Sequence, residues 1–171
     1  MGYRTKTYIA GDWSEDQDAI DQLYKWKNGN QWGLTFVDAH EITSARDSSL
    51  NCSIKASLKT RLDVSKRFVL IVGTKTAVLR SGSCSLCISY NSHNYSCAKG
   101  KSVDYRSYID YECDTAKRDI SNIVVLYNST RVNKSLCPEE LRQVGVHIPM
   151  VFSKNGEYYW DYSAVKIALE Q

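Results

Sequence analysis

Glu112 stands four residues after Tyr108 in Tyr108-Ile-Asp-Tyr-Glu112. On a helix that spacing puts carboxylate and ring on one face. The segment follows the apolar run Phe68-Val-Leu-Ile-Val-Gly73 across a long polar loop. A carboxylate held against an aromatic wall near the end of a buried strand is a setting for a ligand rather than for bulk water. Asp12 and Asp38 each follow an apolar strand signal. They can act as general bases, ribose-hydroxyl acceptors or plain strand-end caps.

A second constellation is Cys84-x2-Cys87-x5-His93-x3-Cys97. Three thiols and an imidazole suit tetrahedral zinc. Six cysteines in a chain expected to be cytoplasmic read instead as reduced thiols, several packed in the core. We therefore expect no resident metal or cofactor, with structural zinc on Cys84, Cys87, His93 and Cys97 as the disfavoured alternative. His40 and His93 read as surface or hydrogen-bonded histidines, and no serine or cysteine has a nucleophile's setting.

The elements that must position these groups alternate between strand and helix signals, which argues for a parallel sheet covered on both faces. Thr7–Ala10 is a first strand stopped by Gly11-Asp12, and Ser14 is placed to cap a helix whose stripe is Ile20, Leu23 and Tyr24. Leu34–Val37 reads as a second strand ending at Asp38-Ala39-His40. Ile54, Leu58 and Leu62 mark an amphipathic helix feeding a third strand, Phe68–Val72, apolar throughout as a central parallel strand is.

A polar, Cys/Ser-rich stretch at about 76–104 is too long for an ordinary connection and reads as an insertion or active-site loop. After the Glu112 helix come a strand at 123–127, a short helix at 138–143, a strand at 146–152 with Pro149 marking an edge, and a terminal helix from about Tyr158. The pattern predicts one flavodoxin-like domain over 1–171, a three-layer sandwich on a five-stranded, mainly parallel sheet ordered 2-1-3-4-5. Ligands bind such sheets outside the carboxyl ends of the strands. Gly11, Asp12 and Trp13, then Asp38 and His40, then Gly73 and Thr74, and finally Asn128 should stand there.

Composition removes several alternatives. The 171 residues suffice for one full core, and 22 basic against 19 acidic residues leave a charge of +3 without a basic stripe, so nucleic acid is not expected. No stretch is long and apolar enough to span a bilayer, so a cytoplasmic chain without membrane partners is expected. Asn-x-Ser/Thr matches at Asn51, Asn94, Asn128 and Asn133 then read as chance. Gly100-Lys101-Ser102 has Tyr95 where a P-loop needs its first glycine, and no Gly-x-Gly-x-x-Gly follows the first strand. Gly73 stands where a receiver domain carries its phosphoacceptor aspartate.

The order of Tyr8-Ile-Ala-Gly-Asp-Trp-Ser-Glu-Asp16, Phe36-Val-Asp-Ala-His40, Ile54–Leu58 with Phe68–Gly73, and Tyr108–Glu112 with Ile123–Asn128 resembles the TIR-like family of bacterial signalling proteins that includes the ThsB-type component of Thoeris antiphage defence. The resemblance implies a domain that binds NAD as substrate and cleaves its nicotinamide glycosidic bond. The product would be hydrolysed NAD or an ADP-ribose-derived signal for a downstream effector, with self-association among the partners implied. Glu112 matches the family's catalytic glutamate. Such a carboxylate can hold ribose hydroxyls and stabilise an oxocarbenium-like centre. Gly11, Asp12, Trp13, Asp38, Thr74 and Tyr108 are then the substrate-binding candidates. Tyr108 replaces the family's usual tryptophan, and Ala10 stands where relatives often carry a polar group. The competing readings are a non-enzymatic adaptor acting through protein contacts, as TIR domains also do, and a zinc-stabilised binding protein.

Overall fold

The computed structural model describes residues 4–29, 32–39 and 50–171. His40 and the loop after it lie outside the described residues. Four strands form the main sheet: β1 (Lys6–Ala10), β2 (Ser65–Val72), β5 (Asn122–Tyr127) and β6 (Val146–Pro149), hydrogen-bonded in the order β1-β2-β5-β6 and all parallel. Two short hairpins lie outside it, β3 (Tyr90–Asn91) with β4 (Ser96–Cys97), and β7 (Val151–Lys154) with β8 (Glu157–Trp160).

Strand alternation divides the core. Tyr8, Phe68, Leu70, Val125 and Tyr127 face helices α2 (Asn51–Asp63) and α3 (Tyr108–Asp119), meeting Leu58, Leu62, Ile109, Cys113 and Ala116. Ile9, Val69, Ile71, Val124 and Leu126 face α1 (Gln17–Asn28) and α4 (Tyr162–Glu170), meeting Ile20, Leu23, Trp26, Val165 and Leu169. Phe68 through Val72 are all buried, as a central strand covered on both sides requires. The expected α/β sandwich with a parallel sheet is present, and Pro149 sits on the edge strand β6.

The five-stranded sheet ordered 2-1-3-4-5 is not. The segment Leu34–Val37 runs beside β1 but makes one parallel bridge, Thr7 to Asp38, with Thr7 N–H donating to Val37 C=O at 2.7 Å. Its side chains are drawn toward α1 instead. Leu34 is buried among the α1 residues, and Phe36 packs edge-on to Tyr24 at 6.2 Å with the Lys27 ammonium 5.2 Å from its ring.

Three boundaries also move. Asp12 Oδ1 accepts from the Ser14 and Glu15 amides, so that a turn precedes α1 and Asp16, not Ser14, occupies the N-cap. The short helix at 138–143 is a single 3-10 turn, Glu139–Leu141. The strand at 146–152 breaks at buried Met150, whose amide bonds Tyr127 C=O at 2.8 Å, and the chain turns through Asn155-Gly156, both at positive φ, before α4 begins at Tyr162. Asn-Gly between two short β-prone runs is a strong hairpin signal, and it was available in the sequence.

Candidate functional site

Glu112 is carried by a helix whose start is firmly fixed. Ser107 Oγ accepts from Asp110 N–H at 3.0 Å while Asp110 Oδ2 accepts from Ser107 N–H at 3.3 Å, a complete capping box. Tyr108 is anchored at three points. Its amide donates to Ser81 C=O at 2.7 Å, its hydroxyl to Asn51 Oδ1 at 3.0 Å, and its ring lies flush on Gly82. A Cβ at Gly82 would stand 2.4 Å from the Tyr108 ring, and Gly82 has φ +97°, so this contact needs glycine on both counts.

Glu112 is only 7 % exposed, not the solvated residue that its helix suggests. Its Oε1 accepts from the Tyr8 hydroxyl on β1, and buried Arg61 on α2 adds a positive charge beside both groups. Burial dominates and raises the Glu112 pKa to about 7, against the downward pull of the Tyr8 hydrogen bond and Arg61. The same burial, with the Glu112 charge, drives the Tyr8 hydroxyl well above its ordinary value, so Tyr8 stays a proton donor.

Glu112 lines a cavity of about 230 Å³ with Gly11, Asp12, Trp13, Ser81 and Tyr108, floored by Ile54, Leu58, Leu79 and Ile109. It opens where β1 ends, as expected for a parallel sheet. A buried carboxylate whose pKa is raised by desolvation, one flanking carboxylate at Asp12 and two aromatic walls make a place for a polar, partly aromatic ligand. Such a group can accept hydroxyl protons and meet a developing cation.

Residues 8–81 match the family model of the Thoeris protein ThsB, TIR-like domain. The TIR-like resemblance is thus shown over β1, α1, α2, β2 and the near wall of the cavity, including Gly11, Asp12 and Trp13. The match ends before α3, so Tyr108 and Glu112 lie outside the TIR-like stretch. No curated protein matches the chain significantly.

Of the residues singled out in the sequence, Gly11, Asp12, Trp13, Tyr108 and Glu112 come together. Asp38 does not line this cavity. It is buried and accepts a hydrogen bond from Tyr24. Thr74 is exposed and also outside it. Gly73 lies under the Asp16 carboxylate, where a Cβ would meet Asp16 Oδ1 at 2.0 Å, and Asn128 Nδ2 donates to Asp16 and Asp18 at 3.0 Å each. That end of β2 and β5 is filled by local polar contacts.

Two participants escaped the sequence reading. Tyr8 reads as an ordinary strand aromatic and Arg61 as a helix surface cation, and only the packing of β1 and α2 against α3 brings them to Glu112. In the insertion, His93 is exposed on the β3–β4 hairpin, while Cys84, Cys87 and Cys97 line a second, small pocket together with Cys52. Among the described residues no group of three or more His, Cys, Asp or Glu could hold a metal ion. Nor is any helix among them long and apolar enough to cross a membrane.

Proposed function

We propose that the protein is an NAD-consuming TIR-like signalling enzyme that breaks the nicotinamide glycosidic bond, with Glu112 as its catalytic carboxylate. One observation carries this reading: a buried carboxylate with a pKa of about 7 lines an aromatic-walled cavity at the carboxyl end of a parallel sheet. The TIR-like match over residues 8–81 supports the substrate class. The cavity is below the roughly 300–1,000 Å³ of a pocket enclosing a whole drug-sized ligand, and so suits the reacting half of a dinucleotide.

In this reading Trp13 and Tyr108 flank the nicotinamide and ribose, while ionised Glu112 accepts from ribose hydroxyls. The bond from ribose C1′ to the pyridinium nitrogen breaks, and its electron pair neutralises the ring nitrogen. Positive charge develops on the ribose and is stabilised by the carboxylate. Water or another hydroxyl then attacks C1′ and passes its proton to the Glu112 carboxylate or to solvent. Nicotinamide is a good leaving group, so one carboxylate suffices. A nucleotide product would carry the signal to an effector, in keeping with a role in antiphage defence.

Incubation with NAD beside a Glu112→Gln variant tests the proposal through nicotinamide release. Loss of release in the variant supports it, and equal release by both proteins overturns the catalytic role. The adaptor reading draws on the β7–β8 hairpin, where Phe152, Tyr158 and Tyr159 present exposed rings. Absence of turnover together with partner binding that needs those rings would favour it.

A further inference from the structure

We propose that the protein carries a second ligand site at the amino end of its sheet, where Arg67 and Lys66 hold the phosphate of a small organic phosphate. The site is a cavity of about 280 Å³ on the rim opposite the Glu112 cavity. Thr5, Thr7, Lys66 and Arg67 line it where β1 and β2 begin, and the segment 35–37 forms its other side. It exists because the expected second strand did not form. That segment joins β1 through a single bridge, at Thr7 to Asp38, and an open space is left beside the start of β1.

Arg67 is the residue that calls for a ligand. It stands opposite Thr7 in the register of β1 and β2, two residues before Val69, and so on the sheet face covered by α1 and α4. Its Nε is buried without a hydrogen-bond partner among the described residues. Glu170 on α4 is the carboxylate whose charge reaches Arg67, and it is paired with Lys166 at 3.7 Å. Burial holds the Arg67 pKa below its ordinary value, against the pull of Glu170, as expected for a cation without a close counter-ion. A buried N–H without an acceptor is costly, and a half-buried cation without a partner adds to the cost. In a complex with a carboxylate or phosphate, the Nε–H is one of the two parallel donors that grip the oxygens side-on.

Charge selects the class of ligand. The lining holds two cations and no carboxylate, and the Lys27 ammonium lies 5.2 Å from the ring of Phe36, which forms one wall. Two adjacent cations favour a phosphate dianion over a single carboxylate. Thr5, Thr7 and Thr35 add hydroxyl donors for further oxygens. Size and the apolar pair Phe36 and Val37 select the rest. The cavity is just below the roughly 300 Å³ at which small-molecule pockets begin, and so suits a pentose phosphate better than a whole dinucleotide. No step of this reading depends on NAD cleavage at Glu112.

The test is isothermal titration calorimetry of the full chain with ribose 5-phosphate, ribose and inorganic phosphate. Ribose 5-phosphate should bind, ribose should not, and inorganic phosphate should bind more weakly than the ester. Lys66→Glu, at an exposed position, should weaken binding by at least about tenfold, and Arg67→Gln should weaken it as much or abolish it. Glu112→Gln should leave it unchanged, because the two cavities share no lining residue. An Arg67 variant can lose stability, so the wild-type chain supplies a second readout: ribose 5-phosphate should slow amide hydrogen exchange across 35–37. Absence of ribose 5-phosphate binding, or an affinity untouched by Lys66→Glu and Arg67→Gln, overturns the proposal. So does ribose or inorganic phosphate binding as tightly as the ester, or loss of binding in Glu112→Gln.

Discussion

Tyr8, on the first strand, donates a hydrogen bond to Oε1 of Glu112, 104 residues further along the chain. The bond joins β1 to α3 across the core and leaves the carboxylate facing a cavity rather than bulk water. It also opposes the effect of burial. Without it the Glu112 pKa would lie above its value of about 7.

Glycosidic cleavage should therefore follow the ionisation of Glu112. Nicotinamide release should rise with pH to a plateau, with a midpoint near 7 in the free enzyme. A profile flat from pH 5 to 9 would detach turnover from this carboxylate.

Stability should run the other way. The folded pKa of Glu112 lies above its ordinary 4.5, so the stabilisation it gives is complete below about pH 4.5 and is lost as pH rises through about 7. A Glu112→Gln variant keeps an acceptor for Tyr8 and avoids the buried charge. In urea titrations it should gain on the wild type by up to about 3 kcal/mol between pH 4 and pH 8. A constant difference across that range would contradict the buried titration.

Tyr8→Phe keeps the ring that stacks on Phe68 at 5.6 Å but removes the hydroxyl. Its expected signature is an alkaline shift of the pH–activity midpoint, since the lost hydrogen bond had held the Glu112 pKa down. A purely structural role for Tyr8 would lower stability and leave the midpoint in place.

Gly82 and Gly156 both have positive φ, but only Gly82 has a neighbour in the way. Gly156→Ala should cost about 1 kcal/mol, the backbone term alone. Gly82→Ala must also displace the Tyr108 ring, and should cost roughly 2–4 kcal/mol and raise KM for NAD. Thermal melts of the two variants compare the costs directly, and equal shifts would show that the ring is not clamped.

The sequence by itself determined the layers and one wall of the site. An unbroken apolar Phe68–Val72 has to be a buried central strand, the four-residue rhythm of Ile54, Leu58 and Leu62 has to be a helix face, and Tyr108 and Glu112 share a face because a helix turns every 3.6 residues. These follow from local geometry, and they sufficed to bring Gly11, Asp12 and Trp13 to the same cavity through the rule for parallel sheets. Tertiary structure decided what depends on distant partners. Asp12 faces the cavity, whereas Asp38 is taken by Tyr24, though both end strand-like segments. The second strand did not form because Leu34 and Phe36 pack toward α1 more than their backbone pairs with β1. Tyr8 and Arg61 reach Glu112 only because β1 and α2 pack against α3, and Cys52 lines one pocket with Cys84 only because α2 also lies against the insertion. No local spacing encodes such meetings, since each is set by how separate elements bury their apolar faces together.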